Sequence, residues 1–352
     1  MRVFPPCVVN PAQDNIAMKT HRSSVLKLLP VVTALLAGSV LAQTRSPQPP
    51  LKYTPTQMVE TLHSVFGDHH ARAIHTKGIM LTGTFTPSPS AARVSSAAHL
   101  QGGASVPVIV RFSNFAGVPD VPDNAPLASP RGMAIRFTLP DGSSTDIVSH
   151  SFNGFPSQNA DQFRELLQAI AASGPNAAKP TALDGYLATH PVAKHFLTVA
   201  KPAPVSYATL PYYGVNTFKF INAHGKATYG RYRIVPVAPA QYLTDAQAQA
   251  AAPTYLGTEI GSRVAAAPVR FRLMLQLAGK GDQIDDPSVA WPDSRPLIEL
   301  GTLSIDHLVP DSVAAEKKIV FMPNSLPKGI EVEDQMVNFR SSAYAVSYSA
   351  RQ

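Results

Sequence analysis

Cysteine is almost missing from this chain: Cys7 is the only one in 352 residues. It falls in an N-terminal stretch with the layout of an export signal. The remaining protein would therefore have no disulfide, no thiol nucleophile and no cysteine-ligated metal. Charge is scarce too, at 15% of residues. The net +7 is scattered, with no lysine/arginine block and no aromatic-basic repeat. Nucleic-acid binding normally needs a clustered basic stripe, so no such partner is expected. No apolar run reaches the ~20 residues of a bilayer-spanning helix. There is no internal repeat. What the chain does have is 33 prolines, 21 glycines and 45% hydrophobic residues. That describes a loop-rich globular protein with ample material for one large core.

Residues 18–42 read as the export signal. Lys19, Arg22 and Lys27 form its charged end, Leu28 to Val40 its apolar stretch, and Val40-Leu41-Ala42 its cleavage positions. Cleavage is expected after Ala42, which in a bacterium means a periplasmic protein with no stable membrane span. A membrane anchor is the competing reading. The 17 residues before Met18 look like an upstream extension, leaving Met1 and Met18 as candidate starts. Residues 43–53 form a polar linker, and no break in composition divides 54–352, so one domain is expected there.

Thr54, Pro55 and Gly67 bracket a first helix as N-cap, first helical residue and C-cap. Strand patterns follow at 79–85, 106–112, 131–139, 145–151, 217–237 (a hairpin turning at 222–225), 269–277 and 296–309, with a short apolar run at 319–322. Helices are expected at 160–172, at 181–201 with a break at Pro191, and from Thr244. About eight strands in hairpin order predict an α+β fold: a closed antiparallel β-barrel, which has no exposed edges, with surrounding helices.

Two clusters carry chemistry. In the C-terminal helix Arg340 stands four residues before Tyr344, a spacing that brings the side chains together. A neighbouring cation favours the phenolate, and a phenolate can bind ferric iron. A surface helix with a chance Arg/Tyr pair would look the same. Far upstream, Arg72 precedes His75 by three residues at the start of the first strand. A lone histidine there is more readily a satisfied core residue than a functional one.

The motifs that tie these clusters together are Arg72-Ala-Ile-His75-Thr-Lys-Gly78, Val110-Arg111-Phe112-Ser113, Arg131-Gly132-Met133-Ala134-Ile135-Arg136-Phe137, Asp146-Ile147-Val148, Asn216-Thr217-Phe218-Lys219 and the tail from Asp334 to Arg351. In this order, from about Pro55 to Arg351, the chain resembles the haem catalase superfamily, specifically its short bacterial branch, the catalase-related peroxidases. The resemblance implies haem b as cofactor. Tyr344 then matches the iron ligand, Arg340 the residue that holds it as phenolate, His75 the distal acid–base group and Ser113 its hydrogen-bond partner. Arg72, Arg111 and Arg351 match the propionate-binding arginines. Phe155, Phe163 and Met336 match apolar residues around the haem, where plain core packing is an equal reading.

One position departs from the pattern. Full-length catalases place an asparagine after the Asp-x-Val strand, where an ungapped match puts His150 and a one-residue slip puts Ser151. The tail is also shorter than in large catalases. Both favour a peroxidase, with peroxide and a small organic reductant as partners, over a fast catalase. The expected assembly is a monomer or small homo-oligomer. A weak catalase and a non-catalytic haem-binding protein are the alternatives.

Overall fold

The computed structural model describes residues 50–352. The export segment, with Cys7, Met18 and the expected cleavage position, lies outside the described residues, as does most of the linker.

Helix α1 (Pro55–Phe66) begins with a reciprocal cap: Thr54 Oγ1 accepts from the Gln57 N–H at 3.2 Å, and Gln57 Oε1 accepts from the Thr54 N–H at 2.9 Å. Two donors that any helix start leaves orphaned are thus satisfied. Gly67 ends the helix at a φ of 89°, a conformation that suits glycine.

Strands β1 (Gly78–Pro87), β2 (Val106–Ser113), β3 (Gly132–Thr138), β4 (Ser144–His150), β5 (Tyr212–Tyr213), β6 (Phe218–Ile221), β7 (Ala227–Pro236), β8 (Val269–Leu277), β9 (Leu297–Leu308) and β10 (Ile330–Val332) form one antiparallel sheet. Eight of them close a ring in the order β1-β2-β3-β4-β5-β7-β8-β9, and β9 pairs back with β1. The closed barrel expected from the sequence is therefore present. Strand β6 pairs with the first part of β7, and β10 adds to β6.

The helices are α2 (Ala160–Ala171), α3 (Ala182–Thr189), α4 (Pro191–Thr198), α5 (Asp245–Ala250), α6 (Tyr255–Ala266), α7 (Ser312–Lys317) and α8 (Gln335–Ser349). The predicted break at Pro191 separates α3 from α4. The apolar run at 319–322 is irregular chain and not a strand. Its carbonyls bond to arginines instead of to a neighbouring strand.

Strand periodicity positions the site. Side chains alternate between the two faces of a strand. Val108, Val110 and Phe112 of β2, Met133, Ile135 and Phe137 of β3, and Ile147 of β4 pack in the main core. Each such side chain contributes about 1.5–3 kcal/mol by leaving water. The same alternation sends Arg111, Ser113, Gly132 and His150 to the other face. A second apolar cluster, including Met58, Leu62, Leu167, Met336 and Ala343, joins α1, α2 and α8.

Candidate active site

Between the outer wall of β2, β3 and β4 and this helix layer lies a cavity of about 170 Å³, roughly ten times the room one ordered water needs. Every candidate drawn from the sequence lines it: Arg72, His75, Arg111, Ser113, His150, Phe155, Phe163, Met336, Arg340, Tyr344 and Arg351. Residues almost 280 positions apart are thereby brought to one site.

The helical wall is a stripe along α8. Met336, Arg340, Tyr344 and Ser347 recur at helical spacing, and Arg351 continues the line just past the helix. Arg340 donates to Tyr344 Oη from Nη2 at 2.8 Å and from Nε at 3.2 Å. Two charged donors on one oxygen provide the surroundings a phenolate needs. Arg340 is itself aimed by a relay: its Nη1 donates to Asn216 Oδ1, and Asn216 Nδ2 donates to Asp334 Oδ2 at 2.6 Å. Asp334 also caps α8 through the Met336 N–H. Asn216 and Asp334 lay in the recognised motifs without a role being read for them. Asp334 had a visible signal, an acidic residue directly before a helix.

His150 stands on the strand wall, and His75, from the loop between α1 and β1, packs against that wall. His75 Nδ1 lies 3.1 Å from Ser113 Oγ, and Phe115 packs edge-on against the ring at 5.5 Å. The His75 backbone has a φ of 57°, a left-handed conformation rare for non-glycine residues and concentrated at functional positions. Burial drives the imidazole down to about 3, helped by repulsion from His150 where that ring is protonated and from the charges of Arg111 and Arg340. The ring is thus a neutral base at physiological pH. His150 is held neutral in the same way, down to about 3, by burial and then by Arg340. Of the two alignments left open, His150 faces the cavity, while Ser151 accepts from the Arg131 N–H at 2.9 Å.

Ser113, Gly132 and His150 form a row across β2, β3 and β4, since Gly132 pairs with Ser113 on one side and His150 on the other. The His75 ring lies over the middle of this row because Gly132 has no side chain. A Cβ there would strike Ser113 Oγ and sit 2.8 Å from His75 Nδ1. Gly78 does the same for Arg111, where a Cβ would lie 2.5 Å from Cζ. Neither glycine was singled out from the sequence, because the requirement exists only across strands.

The three remaining arginines cluster at one end. Arg72 Nη2 donates to the carbonyls of Glu316 and Ile319, each at 3.1 Å, and Arg351 Nη2 to that of Ile319 at 3.0 Å. Arg111 Nη2 donates to Glu316 Oε2 at 2.7 Å and to the Thr76 carbonyl at 3.0 Å. Burial, then repulsion from Arg111 and Arg351, pushes Arg72 down to about 8. Burial and Arg111 push Arg351 down to about 10. The cluster is short of negative charge, and Arg111 Nε and Arg351 Nε are buried without partners. Apolar side chains complete the enclosure, with Phe155 and Phe163 in contact at 4.9 Å and Met336 beside them.

Known proteins resemble this chain in sequence and in fold. The Catalase family model matches residues 55–352. A catalase-related peroxidase of Mycolicibacterium paratuberculosis is 37% identical over 303 residues, covering 85% of this chain and 95% of that protein. One from Synechococcus elongatus is 33% identical over 305 residues, covering 85% and 88%. Among solved structures, a fungal catalase and catalase A of Saccharomyces cerevisiae superpose with a TM-score of 0.71 at 21% and 20% identity. They share the fold, and the chain spans 59% and 61% of their lengths.

The chain belongs to the catalase family, and it is a haem-dependent oxidoreductase acting on peroxide. The cavity suits the cofactor that the family implies. It has a phenol oxygen backed by a guanidinium, apolar walls for a flat ring, and an arginine cluster that already takes one carboxylate.

Proposed function

We propose that this protein is an exported haem b peroxidase that reduces hydrogen peroxide or an organic hydroperoxide with electrons from a small organic donor. The observation that carries the reading is one cavity holding Tyr344 against Arg340 on its helical wall and His75 against Ser113 on its strand wall. The reaction balances as one hydroperoxide, two electrons and two protons giving one alcohol (water, for hydrogen peroxide) and one water. Haem, when bound, supplies the iron centre that accepts oxidising equivalents from the O–O bond and passes them to the donor.

The chain supplies the rest. Tyr344 Oη would hold the iron, with Arg340 donating to that oxygen from Nη2 and Nε. Arg72, Arg111 and Arg351 would take the propionates through charged hydrogen bonds. His75, neutral and fixed through Nδ1, presents Nε2 as the base that takes the peroxide proton and then returns it to the departing oxygen. His150 has a different task. The Phe152 N–H points at its Nδ1 at 3.4 Å, which places the proton of the neutral ring on Nε2. That atom is buried and has no protein partner, so it is free to donate to a peroxide oxygen.

The test is turnover by the haem-loaded protein. Oxidation of an added phenolic or arylamine donor should far exceed oxygen release, with hydrogen peroxide or an organic hydroperoxide. Vigorous oxygen release needing no donor would make the protein a catalase. Bound haem with no turnover would make it a haem carrier. Export rests on the layout of residues 18–42. Sequencing the N-terminus of the periplasmic protein should find Gln43 first, and a cytoplasmic protein retaining Met1 or Met18 would refute it.

A further inference from the structure

The arginine cluster contains a residue that a carboxylate-binding site does not need, Glu316. It sits on α7, 205 positions from Arg111 in sequence, and its Oε2 accepts from Arg111 Nη2 at 2.7 Å. The pair is enclosed, with 4% and 13% of the two side chains exposed. Its other oxygen, Oε1, is buried with no partner. The Glu316 carboxylate also attracts Arg72 and Arg351, so it faces the whole cluster. The remaining ionisable groups felt there are the phenols of Tyr344, by Arg72, and Tyr348, by Arg351.

A carboxylate engages a guanidinium best through two parallel hydrogen bonds along one edge. On Arg111 the edge formed by Nε and Nη2 is half taken. Nη2 is committed to Glu316 and to the Thr76 carbonyl, while Nε is bare. A haem propionate can claim the full edge only where Glu316 gives way. Gly78 leaves room for that guanidinium close against the strand, and its bonds to Glu316 and to the Thr76 carbonyl hold it there.

We propose that Glu316 is an internal competitor for the propionate cradle: its carboxylate holds the half of the Arg111 fork that a propionate would otherwise take, and so limits how tightly the cofactor is retained. This rests on the haem reading above. Glu316 is a positioning residue that acts through Arg111. Three guanidinium charges less one carboxylate leave the cradle at +2, which the two propionates offset. Removing Glu316 raises it to +3 and frees the fork.

The experiment is haem release from the loaded, full-length protein into excess apomyoglobin, followed at the Soret band. Glu316→Gln should slow release by roughly ten- to a hundredfold, the range for one charged hydrogen bond taken out of competition. With the dimethyl ester of haem, whose propionates carry no charge, the wild type and Glu316→Gln should release at the same rate. Glu316→Asp retains the charge on a shorter stem. It should also slow release, and it serves if the glutamine variant does not fold. A wild-type protein with no Soret band would overturn the haem reading, and this inference with it. A normal Soret band with release unchanged or faster in the variants would overturn the competitor role alone.

Discussion

Replacing Gly132 with alanine tests how the distal wall is built. Gly132 lies outside the left-handed backbone region, so the effect is one of space alone. The added Cβ would strike Ser113 Oγ and stand 2.8 Å from Nδ1 and 3.0 Å from Cε1 of His75. Ordinary contacts are about 3.5–4.0 Å, so the ring must retreat by roughly 1 Å. The backbone cannot yield instead, because Gly132 is paired with Ser113 on β2 and with His150 on β4. Overpacking of this kind costs about 1–3 kcal/mol of stability, and a 1 Å misplacement of a reacting group costs on the order of a hundredfold in rate. The assay is stopped-flow mixing of the haem-loaded variant with peroxide, alongside a denaturant titration. The expected result is normal haem content, a lower unfolding midpoint and a peroxide reaction slowed about a hundredfold. A variant with the wild-type rate and midpoint would refute the claim that the bare Cα of Gly132 makes room for His75.

Three further outcomes follow. His75→Ala should keep its haem and react with peroxide about a hundred- to ten-thousandfold more slowly, the span for losing a general acid–base group; an unchanged stopped-flow rate would remove His75 from that role. Arg340→Leu should loosen haem without unfolding the barrel, read as weaker Soret absorbance at an unchanged far-ultraviolet circular dichroism spectrum. Lowering the pH from 7 to 5 should destabilise the protein through His75, His150 and His99. Burial holds these down to about 3, 3 and 4, against an ordinary value of 6.5. The unfolded chain therefore binds protons that the folded one refuses, so stability is whole above 6.5 and falls as pH drops towards 4. With all three responding, the slope approaches about 4 kcal/mol per pH unit. An unfolding midpoint that is flat from pH 7 to 5 would contradict this.

Much of the fold was legible because it is written in local chemistry. Thr54, Pro55 and Gly67 bracket α1, and alternating apolar residues mark the longer strands. Strand β5 was not legible: two tyrosines make no pattern, yet they join β4 to β7 and so close the ring. Helix α6 was hidden by Gly257 and Gly261, which weaken any helical pattern. Helix α7, six residues long, was too short to show periodicity.

The site divides in the same way. Arg340 and Tyr344 could be paired from spacing on a single helix. The association of His75 with Ser113, of Arg72 with Arg351, and of all of these with Tyr344 needed a resemblance, because nothing local links them. The roles of Gly132, Gly78, Asn216 and Glu316 depend on register and on contacts between distant elements. A glycine whose value is the space above it, or a glutamate 205 positions from its arginine, leaves no mark in sequence.

The proposed role of Tyr344 as the haem-iron ligand, with Arg340 at its back, can be checked on the absorption spectra of the full-length protein and its Tyr344→Phe variant, purified side by side. The wild type should show a strong Soret band, lost or markedly weakened in the variant. Full haem content with an unchanged spectrum in Tyr344→Phe would contradict it.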